Sequence, residues 1–418
     1  MASQVAWLNF DAEQKRRMQL VLAALEQQGT IDELGLGQVR DLIAGTLHPG
    51  ITVLHTRARY LVFIPRIYAS LEGRSAEHIR TSGRLAERRL TRRLKESYKQ
   101  PRAEGIFGVR GGEQLASEAY WPLMRTLGIT RSKTISDYCE QRTGEFEKAA
   151  AHARMHSPDD EDSRSPHLWT ELPDEEEVPT WDFRLSVDEA AWIRERFLAR
   201  ERTLPQDERS LVAWLLERDE WVAGAAHSWE YPEADSFPKE TAYAMLLGRD
   251  LDRLVHGARI LYNWLCATAS PPGARRDERI LRYEVDLSSW KDELKAHGLP
   301  SARRVGEMAE WSRRKTDGPT VATADYRVSS TMTFLMAWRD IAAKRKHLLA
   351  SDEAAALLRK RERALKPGRA RLTDPTLLRD WQGDSGYRRF DYNWSIAARL
   401  LSDVHEGLGS RIITWTGG

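Results

Sequence analysis

Two short pairings in the C-terminal half have the residue types and spacing that hydrolytic chemistry requires. Asp252 precedes His256 by one helical turn, and Asp403 precedes Glu406 by three residues. Side chains three or four positions apart share a helix face, so each pair presents two donors to one point. If the two helices meet, such donors could hold a divalent ion that activates water in a nuclease or another hydrolase. Arg249, Asp252, Arg253, His256 and Asn263 also form a polar stripe on a helix otherwise suited to burial, which makes the stripe a site candidate. The structural alternative is that His256 and its neighbours satisfy one another inside a core.

Other chemistry-bearing patterns are incomplete. His152 and His156 are spaced i, i+4, but Ala153 stands where HExxH has its catalytic Glu, and there is no evident third ligand. Gly105, Gly108, Gly111 and Gly112 make neither GxGxxG nor GxxxxGK[ST]. Gly383-Asp384-Ser385-Gly386 resembles the serine-protease nucleophile turn, but Tyr387 replaces the glycine that follows in that family, and the surrounding sequence is helical. Cys139 and Cys266 are far apart with no CxxC, which argues against a disulfide framework and a cysteine zinc site. No cofactor and no metal site is expected, and catalysis is the lesser expectation.

The strongest pattern is cationic. Ser75 to Gln100 reads as a helix in which Arg84, Arg88, Arg92, Lys95 and Lys99 follow at steps of four, four, three and four. At helical pitch these cations line one side of a rod, while Ile79, Leu85, Leu90 and Leu94 supply an inner face. Such a row is ordinarily a solvated face. Here acidic relief is sparse, with Glu77, Glu87 and Glu96 the carboxylates of the helix. Phosphates are the partner that this row suits, with Arg57 and Arg59, just ahead of the apolar run Tyr60 to Ile64, as secondary contacts.

Downstream, the stretch from Leu115 to Gln141 resembles a helix-turn-helix. Leu127-Gly128-Ile129-Thr130 would close its first helix, and Arg131 and Lys133 would stand where bases are read. Two departures are visible: Ile135 falls one residue later than the usual apolar position, and Met124 replaces the small residue four before the glycine.

The elements that must position these residues are helices. At 418 residues the chain is long enough for two or three well-buried cores. With 64 Lys and Arg against 62 Asp and Glu, net charge alone implies no partner. Its distribution is uneven: residues 1–135 hold 21 basic against 13 acidic side chains, and residues 159–189 hold 12 acidic against two basic. The stretch 157–180 is rich in Pro, Ser, Asp and Glu and reads as an acidic linker. The expectation is therefore a mainly α, multi-helical protein of two domains, a basic one over 1–156 and a C-terminal one over 181–418. Helices are expected from Asp11, over Gly37–Thr46 and Arg57–Leu71, and after a capping box at Ser186 and Glu189. More follow over Lys239–Thr268, Ala302–Arg314 and Ser329–Leu349, after Ser351, and over Tyr392–Leu408, with Ile280–Leu287 as a short extended piece. There is no signal-peptide core and no run of eighteen apolar residues, so a soluble, cytoplasmic protein without a membrane partner is expected.

Several stretches resemble a bacterial family of unknown function. They are Trp7 to Phe10, Asp32 to Gly35, Pro49-Gly50 through Thr56-Arg57-Ala58-Arg59-Tyr60 to Pro65, and Ile106-Phe107-Gly108. Tyr120-Trp121 with Gly128-Ile129, and Tyr392-Asn393-Trp394 through Asp403 to Leu408, complete the set, which spans nearly the whole chain. The resemblance implies a setting in phage-defence islands, near helicases and other nucleic-acid enzymes, and supplies no catalytic residues. It implies a component of a multi-gene defence system whose partners are nucleic acid, DNA first, or proteins of the same operon such as a helicase.

Overall fold

The computed structural model describes residues 33–71, 74–109, 114–141, 168–174, 180–316, 321–344, 347–379 and 381–415. The helix expected from Asp11 and the His152/His156 pair lie outside them. The protein is mainly helical, as its periodicity predicts. Contacts group the chain into two compact units that interleave in sequence. One comprises the described residues up to Ala44 with Tyr243–Tyr392, and the other those within Gly45–Ala242 and Asn393–Gly418. The acidic stretch 157–180 falls within the span of the second unit, where Leu168 and Trp169 are buried and Thr130 and Trp169 form an isolated antiparallel bridge.

Helix α1 is Gly37–Leu47. In the second unit, α2 (Tyr60–Ala69) is apolar on almost every side and accordingly buried along most of its length, with Pro65 inside it. It packs against α3 (Ala76–Ser97) and α4 (Ala116–Thr126). Helix α5 (Val187–Glu201) opens on the capping box expected at Ser186 and Glu189, in both directions. It packs with α6 (Leu211–Leu216) and with α12 (Trp394–Leu408). Strands β1 (Glu220–Ala223) and β2 (Arg411–Thr414) pair in parallel, with Glu220 opposite Arg411. Burial does not alternate along either strand, so both lack the period by which strands are read from sequence. Trp221 of β1 stacks on His405 of α12 with the rings 7° from parallel, and its indole N–H donates to Ser402 Oγ at 2.9 Å.

In the first unit, α7 (Lys239–Ala269) is followed by α8 (Ala274–His297), α9 (Ala302–Thr316), α10 (Val321–Lys344) and α11 (Asp352–Leu365). Residues 280–287, expected to be extended, lie inside α8. Ile280, Leu281, Tyr283, Val285 and Leu287 suggest alternation, but Leu281 and Val285 are exposed. The buried set is Tyr283, Leu287 and Trp290, at steps of four and three, which is helical spacing. Trp290 lies over Gly257 of α7, where a Cβ would stand 2.5 Å from the indole carbons. Its N–H donates to Arg253 O at 2.8 Å, and Trp338 of α10 stands beside it with ring centroids 6.1 Å apart. A ring held this way cannot retreat, so Gly257→Ala is expected to cost about 1–3 kcal/mol by overpacking. Urea denaturation checks this, and a variant as stable as the parent would contradict the close approach.

Among the described residues no helix is long and apolar enough to cross a membrane. Cys139 and Cys266 are buried free thiols.

Candidate nucleic-acid interface

Helix α3 begins where the Ser75 hydroxyl accepts from the His78 backbone N–H at 3.3 Å. Its buried positions are Ile79, Gly83, Glu87, Leu90 and Leu94. At 100° per residue this inner stripe turns Arg84, Arg88 and Arg92 outward, and all three are exposed. Leu85, expected on the inner face, is exposed as well. Lys99 is exposed just beyond the helix end, whereas Lys95 is half-buried and donates to Gly108 O at 3.2 Å. Among the described residues, Arg84, Arg92 and Lys99 have no ion pair or side-chain hydrogen bond.

Acidic relief is sparser than the sequence count suggests. Glu87 points into the core, where it accepts from Tyr68 OH at 2.9 Å, Ser117 Oγ at 2.6 Å and Ser117 N at 2.9 Å. Burial pushes its carboxyl above the ordinary value, against those hydrogen bonds. Glu77 lies 4.0 Å from Arg80 and accepts from Thr81, which leaves exposed Glu96 as the other carboxylate on the helix. Two cations the spacing argument did not single out widen the basic surface. Arg89 and Arg93 sit one turn apart on the flank of α3, and the Arg93 guanidinium stacks on Trp181 at 4.2 Å.

Arg57 and Arg59 are placed differently. The Arg57 guanidinium pairs with Asp403 at 2.8 Å and Glu104 at 3.0 Å, and Asp403 also accepts the Ala58 N–H at 2.8 Å. Burial pushes the Asp403 carboxyl up despite the pair, while the pair holds Arg57 above its ordinary value against burial. The difference follows exposure, since Asp403 is the more enclosed partner. Arg59 is buried and donates to Glu189 at 2.9 Å, to Thr180 Oγ1 at 2.8 Å and to Asp182. Both arginines thus fasten elements of the second unit to α2 and the loop before it. The acceptor that matters most here, Glu189, has no side-chain exposure and takes Arg66 as well, at 2.8 Å. In sequence Glu189 stands out only as the acidic partner of a capping box. The available signal was its register with Ile193 and Phe197 on the apolar face of α5, where a carboxylate needs a cationic partner.

The stretch likened to a helix-turn-helix has α4, Gly128 at φ +67° and a second helical segment over residues 135–141. Thr134 caps that segment by accepting from Asp137 N at 3.0 Å. Arg131 and Lys133 are exposed in the turn, whose backbone is tied to residues 168–170 through Arg131 N to Leu168 O and Thr170 N to Ile129 O, each 3.0 Å. The segment's own inner residues are Tyr138 and Cys139.

Two of the carboxylates considered for catalysis are engaged elsewhere. Asp252 accepts from Arg389 at 2.7 Å and from Phe390 N at 2.8 Å. Asp403 serves Arg57, and Glu406 is exposed on α12. Among the described residues no three His, Cys, Asp or Glu side chains group as metal ligands. The Gly383–Gly386 turn is held by Tyr283 and Arg282 on Gly383 O and by Asn263 on Ser385 O, a structural fastening.

The model of a family of unknown function, DUF6361, matches residues 2–407. The chain belongs to that family. No curated protein and no solved structure matches it. Family membership accounts for the near-complete span over which the sequence resemblance was read.

Within this DUF6361 chain, the buried His55 and His405 and the half-buried His256 tie stability to pH. Burial lowers His55 and His405 to about 4 and His256 to about 3, with Arg389 and Arg259 adding to the effect at His256. An unfolded chain protonates these rings near pH 6.5. Stability present above 6.5 is therefore lost as pH falls toward 4, by about 3 kcal/mol for fully buried His55 at 1.36 kcal/mol per pH unit. Glu87 and Asp403, whose carboxyls are raised, act oppositely just above their unfolded values. His55→Gln isolates one group, because an amide can replace both ring contacts, to Thr52 N and Ala119 O. Its unfolding free energy should fall less steeply than the parent's between pH 6.5 and 4, by up to one proton's slope. Parallel profiles would contradict the assignment.

Proposed function

We propose that this chain is a non-catalytic nucleic-acid-binding component of a multi-gene system, with the exposed cations of α3 as its phosphate-contacting face. The observation that carries the reading is the pairing state of that face. Arg84, Arg92 and Lys99 meet no carboxylate among the described residues, and Glu87, the mid-helix acid that could have served them, is turned into the core. Like charges at i, i+4 cost a helix a few tenths of a kcal/mol per pair, so stability alone gives no reason to keep them. The family resemblance described above supports a setting in bacterial anti-phage defence, with DNA and an operon partner such as a helicase as the company this chain keeps.

The test is fluorescence anisotropy of the parent protein with duplex DNA, single-stranded DNA and RNA across a salt series. Four contacts, from the exposed Arg84, Arg88, Arg92 and Lys99, predict a log–log salt slope of about −3.6 on duplex DNA, and a shallower one on single strands. Affinity that is absent at low salt, or indifferent to salt, would sink the proposal. Salt-dependent capture of an acidic protein surface without nucleic-acid binding would move the face to a protein interface.

A further inference from the structure

The second unit holds a cavity of about 370 Å³ lined by Arg59, Phe63, Arg66, Arg89, Arg93 and Trp181, among others. Ligand pockets run from about 300 to 1,000 Å³, so this one suits a small molecule or a single nucleotide. Its electrostatics are unbalanced. Four guanidiniums line it, and among the described residues Glu189 meets Arg59 and Arg66 while Asp182 meets Arg59. Arg89 and Arg93, one turn apart on α3, have no ion pair among the described residues, whereas Arg66 is engaged by Glu189 and by the Pro173 and Asp174 carbonyls. The Arg89 and Arg93 guanidiniums match the charge of a phosphate monoester, which carries about −1.5 to −2 at neutral pH. The walls also supply flat surfaces: Trp181 beneath Arg93 at 4.2 Å, and Phe63 beneath Arg59 at 5.1 Å.

We propose that this cavity binds a nucleoside monophosphate, free or as the terminal nucleotide of a strand, with its phosphate on Arg89 and Arg93 and its base against Trp181. The site goes beyond the phosphate-backbone reading. Arg89 lies about 100° around α3 from Arg88, and occupancy of the cavity does not require the outer row.

Isothermal titration of the full chain with the four deoxynucleoside monophosphates tests the proposal, with deoxyadenosine and inorganic phosphate as half-ligands. At least one monophosphate should bind, and each half-ligand should bind about tenfold or more weakly. Arg89→Gln should lower affinity by about tenfold or more, the scale of one lost charge-assisted hydrogen bond, without changing the melting temperature. Trp181→Ala should weaken binding and Trp181→Phe should largely preserve it. Competition by a 5′-phosphorylated but not a 5′-hydroxyl oligonucleotide identifies a strand end as the source, and competition by neither identifies the free nucleotide. An Arg84, Arg92 and Lys99 triple glutamine variant should keep monophosphate binding even where duplex binding is lost, which separates this site from the outer face. No binding of any monophosphate at millimolar concentration overturns the proposal. So does binding that Arg89→Gln and Trp181→Ala leave unchanged.

Discussion

Replacing Arg84, Arg92 and Lys99 together by Gln is expected to reduce duplex-DNA affinity steeply at low salt while leaving the fold intact. Each lost phosphate contact removes about 0.9 from the magnitude of the log–log salt slope, so three lower it by about 2.7. Taken from about 1 M salt, where counterion release contributes nothing, to about 50 mM, this is roughly tenfold per contact and up to about a thousandfold for the three. The fold should tolerate the change, because none of the three side chains has an ion pair among the described residues and Gln is a good helix former. The loss should be similar for unrelated sequences, since phosphates carry no base information. Anisotropy titrations at several salt concentrations, with circular dichroism as the folding control, read both halves of the prediction. A variant with the parent's slope would mean that these cations only solvate α3.

The largest stability effect is expected at Glu189. Its carboxylate has no exposure and holds two guanidiniums, one of them almost fully buried. Removing one partner of a buried ion pair typically costs about 3–5 kcal/mol, because the other charge is left desolvated and unpaired. Glu189→Ala takes this carboxylate from both guanidiniums, leaving Arg59 on Asp182 and Arg66 on the Pro173 and Asp174 carbonyls, and it also removes the reciprocal half of the Ser186 capping box. Its denaturant midpoint should therefore drop sharply, whereas Glu189→Ala with Arg59→Met should recover part of the loss. A single variant within about 0.5 kcal/mol of the parent would show that the network is solvent-screened. A double variant no better than the single would place the cost in packing.

Much of the scaffold was legible because helices announce themselves at short range. Capping residues such as Ser75, Ser186 and Ser351, and apolar positions at steps of three and four, mark α3, α5 and α11. The α8 reading failed over 280–287 because two exposed residues, Leu281 and Val285, imitate strand alternation, and burial cannot be seen in a sequence. The parallel pairing of Glu220–Ala223 with Arg411–Thr414 joins stretches far apart in the chain, which no local pattern reports. The interleaved units are hidden for the same reason, since composition is local and contacts are not.

At the candidate interface the row from Arg84 to Lys99 was visible as spacing, but its pairing state was not. Glu87 counted as relief until its side chain was found on Ser117 and Tyr68. Arg57 and Arg59 look like two more surface cations in sequence, yet their partners, Asp403 and Glu189, are more than a hundred residues away.

Photo-crosslinking of the parent protein to a labelled oligonucleotide, with the attached peptides identified by mass spectrometry, tests the central claim most directly. The account predicts crosslinks concentrated in residues 84–99, competed away by salt and by unlabelled DNA of unrelated sequence. Crosslinks confined to other basic stretches, such as residues 359–371 or the turn carrying Arg131 and Lys133, would contradict it.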